Sequence, residues 1–286
     1  SADDLIADLN PQQRAAVEHS GSPLLIVAGA GSGKTAVLTR RIAYLLRMRG
    51  VAPGQILAIT FTNKAAAEMR DRVIDLVGPT ATRMWVTTFH SACVRILREQ
   101  AHLLPGFNTN FTIYDADDSK RLLGMIAKDL QINAQKFPPR LLAAAISALK
   151  TELTDPDAAS DEAAATRNPF DRTIAEVYTE YQRRLRAANA LDFDDLIGET
   201  VRVFITHPEI AAYYRKRFRH VLIDEYQDTN HAQYVLISTL VGIGSDASEL
   251  SVVGDSDQSI YAFRGATIRN IEEFERDYPQ ARTILL

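Results

Sequence analysis

The chain has 286 residues, of which 46% are hydrophobic and 24% are charged, and its net charge is −4. This composition is that of a globular protein and excludes the disordered, collagenous and disulfide-scaffold classes. The single Cys93 cannot close an intrachain disulfide, which predicts a reducing, cytoplasmic location. The sequence has no apolar run of the roughly 18 to 20 residues that a membrane span needs, and Asp3 and Asp4 stand where a signal peptide would be basic.

Short apolar runs alternate with stretches of helical periodicity along most of the chain. These runs are rich in Val, Ile and Leu, and they cover residues 24–28, 56–60, 84–88, 221–224, 251–254 and 283–286. Apolar strands that alternate with helices predict an α/β fold with a parallel sheet.

The middle of the chain has a different pattern, because residues 115–200 show helical periodicity without a buried strand. The clearest helices are predicted at 118–130, 140–153 and 172–188. We therefore expect an all-α insertion at 115–191 within an α/β domain formed by 1–114 and 192–286. Residues 154–168 contain several acidic and few large apolar side chains, which predicts a solvated loop.

The strongest local pattern is a buried strand that runs into a glycine-rich turn and then into a helix. Glycines let successive backbone N–H groups point at an anion, and the helix N-terminus adds the positive end of its dipole. Lys34 adds a point charge, and the hydroxyl of Thr35 can bind Mg²⁺. This pattern predicts a phosphate loop. Its expected nucleotide-binding residues are Ala28, Gly29, Ala30, Gly31, Ser32, Gly33, Lys34 and Thr35.

Two carboxylates, Asp224 and Glu225, follow the apolar strand at 221–224 directly. Open α/β sheets bind ligands at the carboxyl ends of their strands. Asp224 can hold Mg²⁺ opposite Thr35, and Glu225 can orient or deprotonate an attacking water. Such a pair alone is more often the start of a loop, but with a phosphate loop upstream it predicts a catalytic pair.

Two longer segments, 223–230 (IDEYQDTN) and 254–266 (GDSDQSIYAFRGA), resemble signature motifs of superfamily 1 DNA helicases. Further matching segments occur in the family's order at 9–13, 60–66, 87–91 and 191–196. The chain resembles the UvrD/PcrA/Rep group over essentially its whole length, and most closely its actinobacterial UvrD-type members. The resemblance implies a RecA-like P-loop fold that uses ATP and Mg²⁺. It also implies a 3′-to-5′ helicase of DNA repair and replication that moves on single-stranded DNA.

The resemblance also assigns roles to residues outside the two local patterns. It implies that Gln13 hydrogen-bonds the adenine, although Asn10, Pro11 and Gln13 equally fit a capping box, so a purely capping role stays open. In the third motif, Gln258 would sense the γ-phosphate and Arg264 would share a polar link from nucleotide to DNA. Both are assigned to the catalytic set with Lys34, Asp224 and Glu225.

A set of aromatic and polar side chains is implied to contact single-stranded DNA. Aromatic faces stack on any base, at roughly 1 to 3 kcal/mol each, without sequence preference. Each aromatic side chain could instead belong to the core, and the role of His90 could simply be to cap a helix. The set comprises Phe61, Asn63, Thr88, Phe89, His90, Tyr261 and Phe263.

Relatives continue beyond this segment into an arginine finger and a second motor domain. We therefore expect the first motor half of a helicase, with little activity alone, whose partners are single-stranded DNA, single-strand/duplex junctions and repair proteins, and not a membrane. Two alternatives stay open. One is a nucleotide- and DNA-binding module without turnover, and the other is a P-loop kinase that uses the same Lys34, Thr35 and Asp224.

Overall fold

The computed structural model describes residues 2–29, 31–255 and 266–286, and the chain divides into two compact units. The sheet unit contains Ser1–Ala92, Glu209–Thr229 and Ser238–Leu286. The helical unit contains Cys93–Pro208 and Asn230–Ile237. Within the described ranges, no helix is long and apolar enough to cross a membrane.

The sheet unit is built on six parallel strands in the order β3-β2-β6-β7-β1-β8. This sheet confirms the predicted α/β fold, and the six predicted strands are present with ends shifted by at most two residues. The strands are β1 (Leu24–Ala28), β2 (Ile56–Thr60), β3 (Trp85–Thr88), β6 (His220–Ile223), β7 (Glu249–Asp255) and β8 (Arg282–Leu285).

Helices pack on this sheet through apolar side chains. Leu24 and Ile26 of β1 share a core with Val37, Leu38 and Ile42 of α3, and each of these side chains is at most 1% exposed. The helices that lie wholly or partly in the sheet unit are α1 (Ala2–Ile6), α2 (Pro11–Glu18), α3 (Lys34–Met48), α4 (Asn63–Val77), α5 (Phe89–Glu99), α11 (Pro208–Arg217), α12 (His231–Val241) and α13 (Ala266–Asp277).

The register of the sheet brings the predicted site segments to one edge. Ala28 at the end of β1 pairs with Asp255 at the end of β7, and Ile223 at the end of β6 pairs with Ile59 of β2. Since all the strands are parallel, the phosphate loop and the acidic strand end both leave the sheet at its carboxyl edge.

The helical unit packs its helices around a separate core that includes Leu142, Ile146 and Tyr181. Its two short strands, β4 (Thr112–Tyr114) and β5 (Ala190–Asp192), pair in parallel. The unit extends beyond the predicted 115–191, because β4 pairs with β5 and the helix α10 (Phe193–Thr206) packs on α7 (Pro139–Thr151). Its helices are α6 (Ala116–Asp129), α7 (Pro139–Thr151), α8 (Pro156–Thr166), α9 (Pro169–Ala187) and α10 (Phe193–Thr206).

The predicted solvated loop at 154–168 is wrong, because α8 occupies most of it. Asp155 caps this helix by accepting a hydrogen bond from the Ala158 backbone N–H at 2.8 Å, and Pro156 begins it. The remaining residues are mostly alanine, which has the highest intrinsic helix propensity. The scarcity of large apolar residues had concealed a helix that buries only Ala159 and Ala163.

The helical insertion in the α/β fold is confirmed, but the expectation that residues 115–200 contain no buried strand is wrong at Ala190–Asp192. All three residues of β5 are buried, and they pair with β4, which lies far earlier in the chain. A strand of three residues is too short to produce a detectable hydrophobic period.

Candidate functional site

The glycine-rich turn between β1 and α3 forms a cradle at the start of the helix. Gly31 and Gly33 have φ angles of +73° and +77°, a left-handed conformation that residues with a Cβ atom rarely adopt. Ala28, which stands where the usual pattern has glycine, is the buried last residue of β1. A cavity of about 330 Å³ follows the turn, and it is lined by Ala28, Gly29, Gly31, Ser32, Gly33, Lys34, Thr35, Ala36 and Asp255.

One polar atom of this turn lacks a protein partner. The Ser32 Oγ atom is buried and makes no hydrogen bond to any described residue. A buried hydroxyl without a partner costs about 1–3 kcal/mol. A phosphate oxygen in the cradle would supply the missing partner, so the turn fits a phosphorylated ligand.

Gln13 lies against the same turn. Its Oε1 atom accepts from the Asn10 backbone N–H at 3.0 Å, and the Asn10 side chain accepts from the Gln13 N–H at 2.8 Å, which forms the capping box of α2. Its Nε2 atom also donates to the Ser32 carbonyl at 2.9 Å. The capping alternative is therefore present in the structure, and the same side chain is placed at the phosphate loop.

The helix that carries Gln13 is fixed by a buried arginine that the sequence reasoning did not identify. Arg41 of α3 is fully buried, and its guanidinium donates to the carbonyls of Ala16 at 2.9 Å and His19 at 2.8 Å, at the end of α2. It also donates to Ser251 Oγ and Glu249 Oε1 of β7. Burial lowers its pKa to about 10, so the guanidinium stays charged at neutral pH.

At the acidic strand end, Lys34 contacts both predicted carboxylates. Its Nζ atom donates to Glu225 Oε1 and lies 3.5 Å from Asp224 Oδ1. Burial alone would lower the pKa of Lys34, but the hydrogen bond to Glu225 and the two carboxylate charges raise it above its ordinary value. A dianionic or trianionic phosphate could replace the carboxylates as the partner of this ammonium group.

The two carboxylates differ in their electrostatic surroundings. Burial raises the pKa of Asp224, and the opposing charge of Lys34 does not fully offset this effect. Burial would also raise the pKa of Glu225, but hydrogen bonds from Lys34 and Gln227 hold it below its ordinary value. Glu225 is therefore ionised at neutral pH, as a residue that accepts a proton must be.

Part of the predicted DNA-binding set lies at the ends of two neighbouring strands. Thr60 of β2 pairs with Thr88 of β3, so the segments that follow these strands share the carboxyl edge of the sheet. The rings of Phe61 and Phe89 meet edge to face, with centroids 5.4 Å apart. Phe89 is only 2% exposed, so Phe61, which is half-buried, is the more accessible ring of the pair.

The polar members of this set differ in exposure. Asn63 is exposed at the start of α4, and His90 is half-buried in the first turn of α5. Thr88 is buried, and its Oγ1 atom accepts from the Ser91 backbone N–H at 3.2 Å, which caps α5. Five predicted site residues lie outside the described residues, and they are Ala30, Gln258, Tyr261, Phe263 and Arg264.

The site combines a strand, a glycine-rich turn and a helix N-terminus, which lie opposite an acidic strand end. This is the arrangement of P-loop nucleotide-binding domains. The chain belongs to the family described as UvrD/REP helicase N-terminal domain, whose profile matches residues 9–279. This membership confirms the resemblance inferred from the motifs.

Relatives are similar along the whole chain. It is 69% identical over 289 aligned residues to the ATP-dependent DNA helicase UvrD1 of Mycobacterium tuberculosis, covering 100% of the chain. It is 64% identical to UvrD1 of Mycobacterium leprae and 49% identical to the ATP-dependent DNA helicase PcrA of Bacillus subtilis, covering 99% of the chain in both cases. The chain spans 37–38% of the length of these relatives.

Proposed function

We propose that this chain is the first motor half of an ATP-dependent DNA helicase, with ATP hydrolysis coupled to 3′-to-5′ movement on single-stranded DNA in repair and replication. The observation that carries the proposal is the contact of Lys34 with Asp224 and Glu225 beside the cradle that contains the unpartnered Ser32 hydroxyl. Within the sheet unit, this contact places a basic side chain and two acidic side chains beside a turn that can bind phosphate.

In the proposed reaction, the ATP phosphates occupy the turn between β1 and α3, and Lys34 moves from the carboxylates to the phosphate oxygens. This movement frees Glu225 Oε1 to orient the attacking water and accept its proton. The ribose and adenine would extend toward Gln13, which lies on the turn through its contact with Ser32.

Mg²⁺ would be held by the Thr35 hydroxyl and the Asp224 carboxylate, which are the hard oxygen ligands that this ion prefers. Among the residues that the structure describes, no group of three or more His, Cys, Asp or Glu side chains could hold a metal alone. The remaining ligands would therefore be phosphate oxygens and water. The ion would neutralise negative charge on the phosphates during transfer.

The binding part of the proposal can be tested on this chain by calorimetric titration with ATP, with and without Mg²⁺. The Thr35→Val variant keeps the shape of the side chain and removes the hydroxyl, so Mg²⁺ should no longer strengthen ATP binding. Thr39→Val is the matched control one turn further along α3, where the buried hydroxyl donates to the Thr35 carbonyl. ATP affinity that is equal in Thr35→Val and wild type would remove Thr35 from the metal site.

Turnover is tested in a full-length protein that carries this segment, because the chain spans only 38% of the mycobacterial relatives. We expect ATPase activity that single-stranded DNA stimulates, and strand displacement from a substrate with a 3′ single-stranded tail. ATP and DNA binding without turnover would support a binding module instead. Transfer of the γ-phosphate to an acceptor other than water would support a kinase.

A further inference from the structure

Gln227 lies in a short 3₁₀ turn (Tyr226–Asp228) that directly follows the acidic strand end. Its side chain is buried and bridges two other parts of the site. The Nε2 atom donates to Glu225 Oε2 at 2.6 Å, and the Oε1 atom accepts from the Asp255 backbone N–H at 3.0 Å. Asp255 ends β7 and lines the phosphate-loop cavity.

The orientation of this amide is fixed by chemistry. A backbone N–H can only donate, so the amide oxygen of Gln227 must face Asp255 and the NH₂ group must face the carboxylate of Glu225. The backbone of the turn is also held, because the buried Asn270 side chain donates to the carbonyls of Gln227 at 2.9 Å and Thr229 at 3.0 Å. Gln227 therefore presents a donor to Glu225 from a rigid position.

Glu225 itself has an uncommon backbone conformation. Its φ angle is +51°, in the left-handed region, and its own N–H donates to Asp224 Oδ1 at 2.8 Å. A residue with a Cβ atom adopts this conformation only where its surroundings impose it. The two carboxylate oxygens have different partners, with Lys34 on Oε1 and Gln227 on Oε2.

These two partners behave differently when phosphate enters the turn. Lys34 is the partner for which a phosphate competes, whereas the amide of Gln227 carries no charge and is enclosed by its own turn. After Lys34 has moved to the phosphates, Gln227 remains to keep one carboxylate oxygen of Glu225 in place.

We propose that Gln227 is a positioning residue for ATP hydrolysis, which orients the Glu225 carboxylate toward the attacking water and ties its position to the end of β7. This inference rests on the proposed function, because it assumes that Glu225 acts on water at a bound ATP. It assigns a role to a residue for which the sequence motif gave none.

The test compares two variants of Gln227 with a matched control. Gln227→Leu removes both hydrogen bonds, whereas Gln227→Glu keeps an acceptor for the Asp255 N–H and loses the donor to Glu225. Gln233→Leu is the control, because Gln233 is similarly buried and its side-chain oxygen accepts from the Asn230 backbone N–H, within the helical unit.

In a full-length protein carrying this segment, both Gln227 variants should lower kcat by roughly 10- to 100-fold, since small misplacements of a catalytic group have effects of this size. The KM for ATP and the Kd of a non-hydrolysable ATP analogue should change less than about threefold. Gln233→Leu should leave kcat unchanged.

The wild-type protein separates this inference from the proposed function. Full-length wild type that neither binds nor hydrolyses ATP would refute the proposed function itself. Single-strand-stimulated ATPase activity in wild type, together with kcat within twofold of wild type in both folded Gln227 variants, would overturn the role of Gln227 alone.

Discussion

Two clusters among the described residues each combine one ammonium group with two carboxylates. One lies in the sheet unit and consists of Lys34, Asp224 and Glu225. The other lies in the helical unit and consists of Lys150, Asp192 and Asp195. In the first, here called the open cluster, the side chains are 21%, 15% and 35% exposed. In the second, the buried cluster, they are 5%, 10% and 7% exposed. The same chemical groups are thus partly exposed to solvent in one case and almost fully buried in the other.

The clusters also differ in how completely their oxygen atoms are used. In the buried cluster, Lys150 Nζ lies 2.7 Å from Asp192 Oδ2 and 2.9 Å from Asp195 Oδ1. The remaining carboxylate oxygens form the capping box of α10, and the Tyr181 hydroxyl donates to Asp192. Each of the four carboxylate oxygens has a protein partner, so this cluster joins elements of the helical unit.

In the open cluster, the contacts of Lys34 with the two carboxylates are partly exposed to solvent, and Lys34 lines the phosphate-loop cavity. A lysine between two carboxylates is therefore not in itself a sign of a site. Solvent access of the charged groups distinguishes the cluster that can exchange its partners from the one that stabilises the fold.

The largest expected effect is on the buried cluster. Lys150→Met should lower the free energy of unfolding by about 3–5 kcal/mol, because it leaves two carboxylates buried without their counter-ion. Urea denaturation measures this loss, and Lys128→Met, at an exposed position on α6, is the control. A loss below about 1 kcal/mol would show that the buried cluster does not stabilise the helical unit.

The corresponding change in the open cluster should affect binding instead of stability. Lys34→Ala removes charge-assisted hydrogen bonds to the phosphates, each about 1.5–3 kcal/mol, so ATP affinity should fall by at least about 10- to 100-fold. Calorimetry measures this change, with the exposed Lys216→Ala as the control. Unchanged ATP affinity in a folded Lys34→Ala variant would show that the open cluster does not bind the phosphates.

The rings of Phe61 and Phe89 repeat the contrast between an open and a buried position on a smaller scale. Phe61→Ala should weaken single-stranded DNA binding by about 1–3 kcal/mol with little loss of stability. Phe89→Ala should instead destabilise the fold by about 3–5 kcal/mol, since its ring is buried. Fluorescence anisotropy and thermal melting of both variants test the distinction. Equal DNA affinity of Phe61→Ala and wild type would assign Phe61 to the core.

The effect that is smallest per unit of pH is the pH dependence of stability that the buried cluster produces. Burial, opposed by Lys150 and reinforced by Asp192, raises the pKa of Asp195 to about 7. Between about pH 4 and pH 7, folded Asp195 retains a proton that the unfolded chain releases, so the free energy of unfolding should fall as pH rises, by at most about 1.4 kcal/mol per unit. Asp195→Asn should flatten this slope in urea titrations at several pH values, and the exposed Asp161→Asn should not.

The separation along the chain between contacting residues explains which features the sequence could predict. The strand β1, the glycine-rich turn and the start of α3 are contiguous, so their pattern located the phosphate loop directly. The contact between Lys150 and Asp192 joins residues 42 positions apart, and the contact between Gln227 and Asp255 joins residues 28 apart. Such side-chain pairs have no local pattern. Helix α8 was missed for a different reason, because its small apolar face depends on alanines.

The single-strand-stimulated turnover of Glu225→Gln, in a full-length protein carrying this segment, tests directly whether the open cluster hydrolyses ATP. The amide keeps the shape of the side chain but cannot accept a proton, so we expect ATP affinity close to wild type and a loss of turnover of at least about 100-fold. Turnover close to wild type, in a variant that binds ATP normally, would show that Glu225 is not the catalytic base.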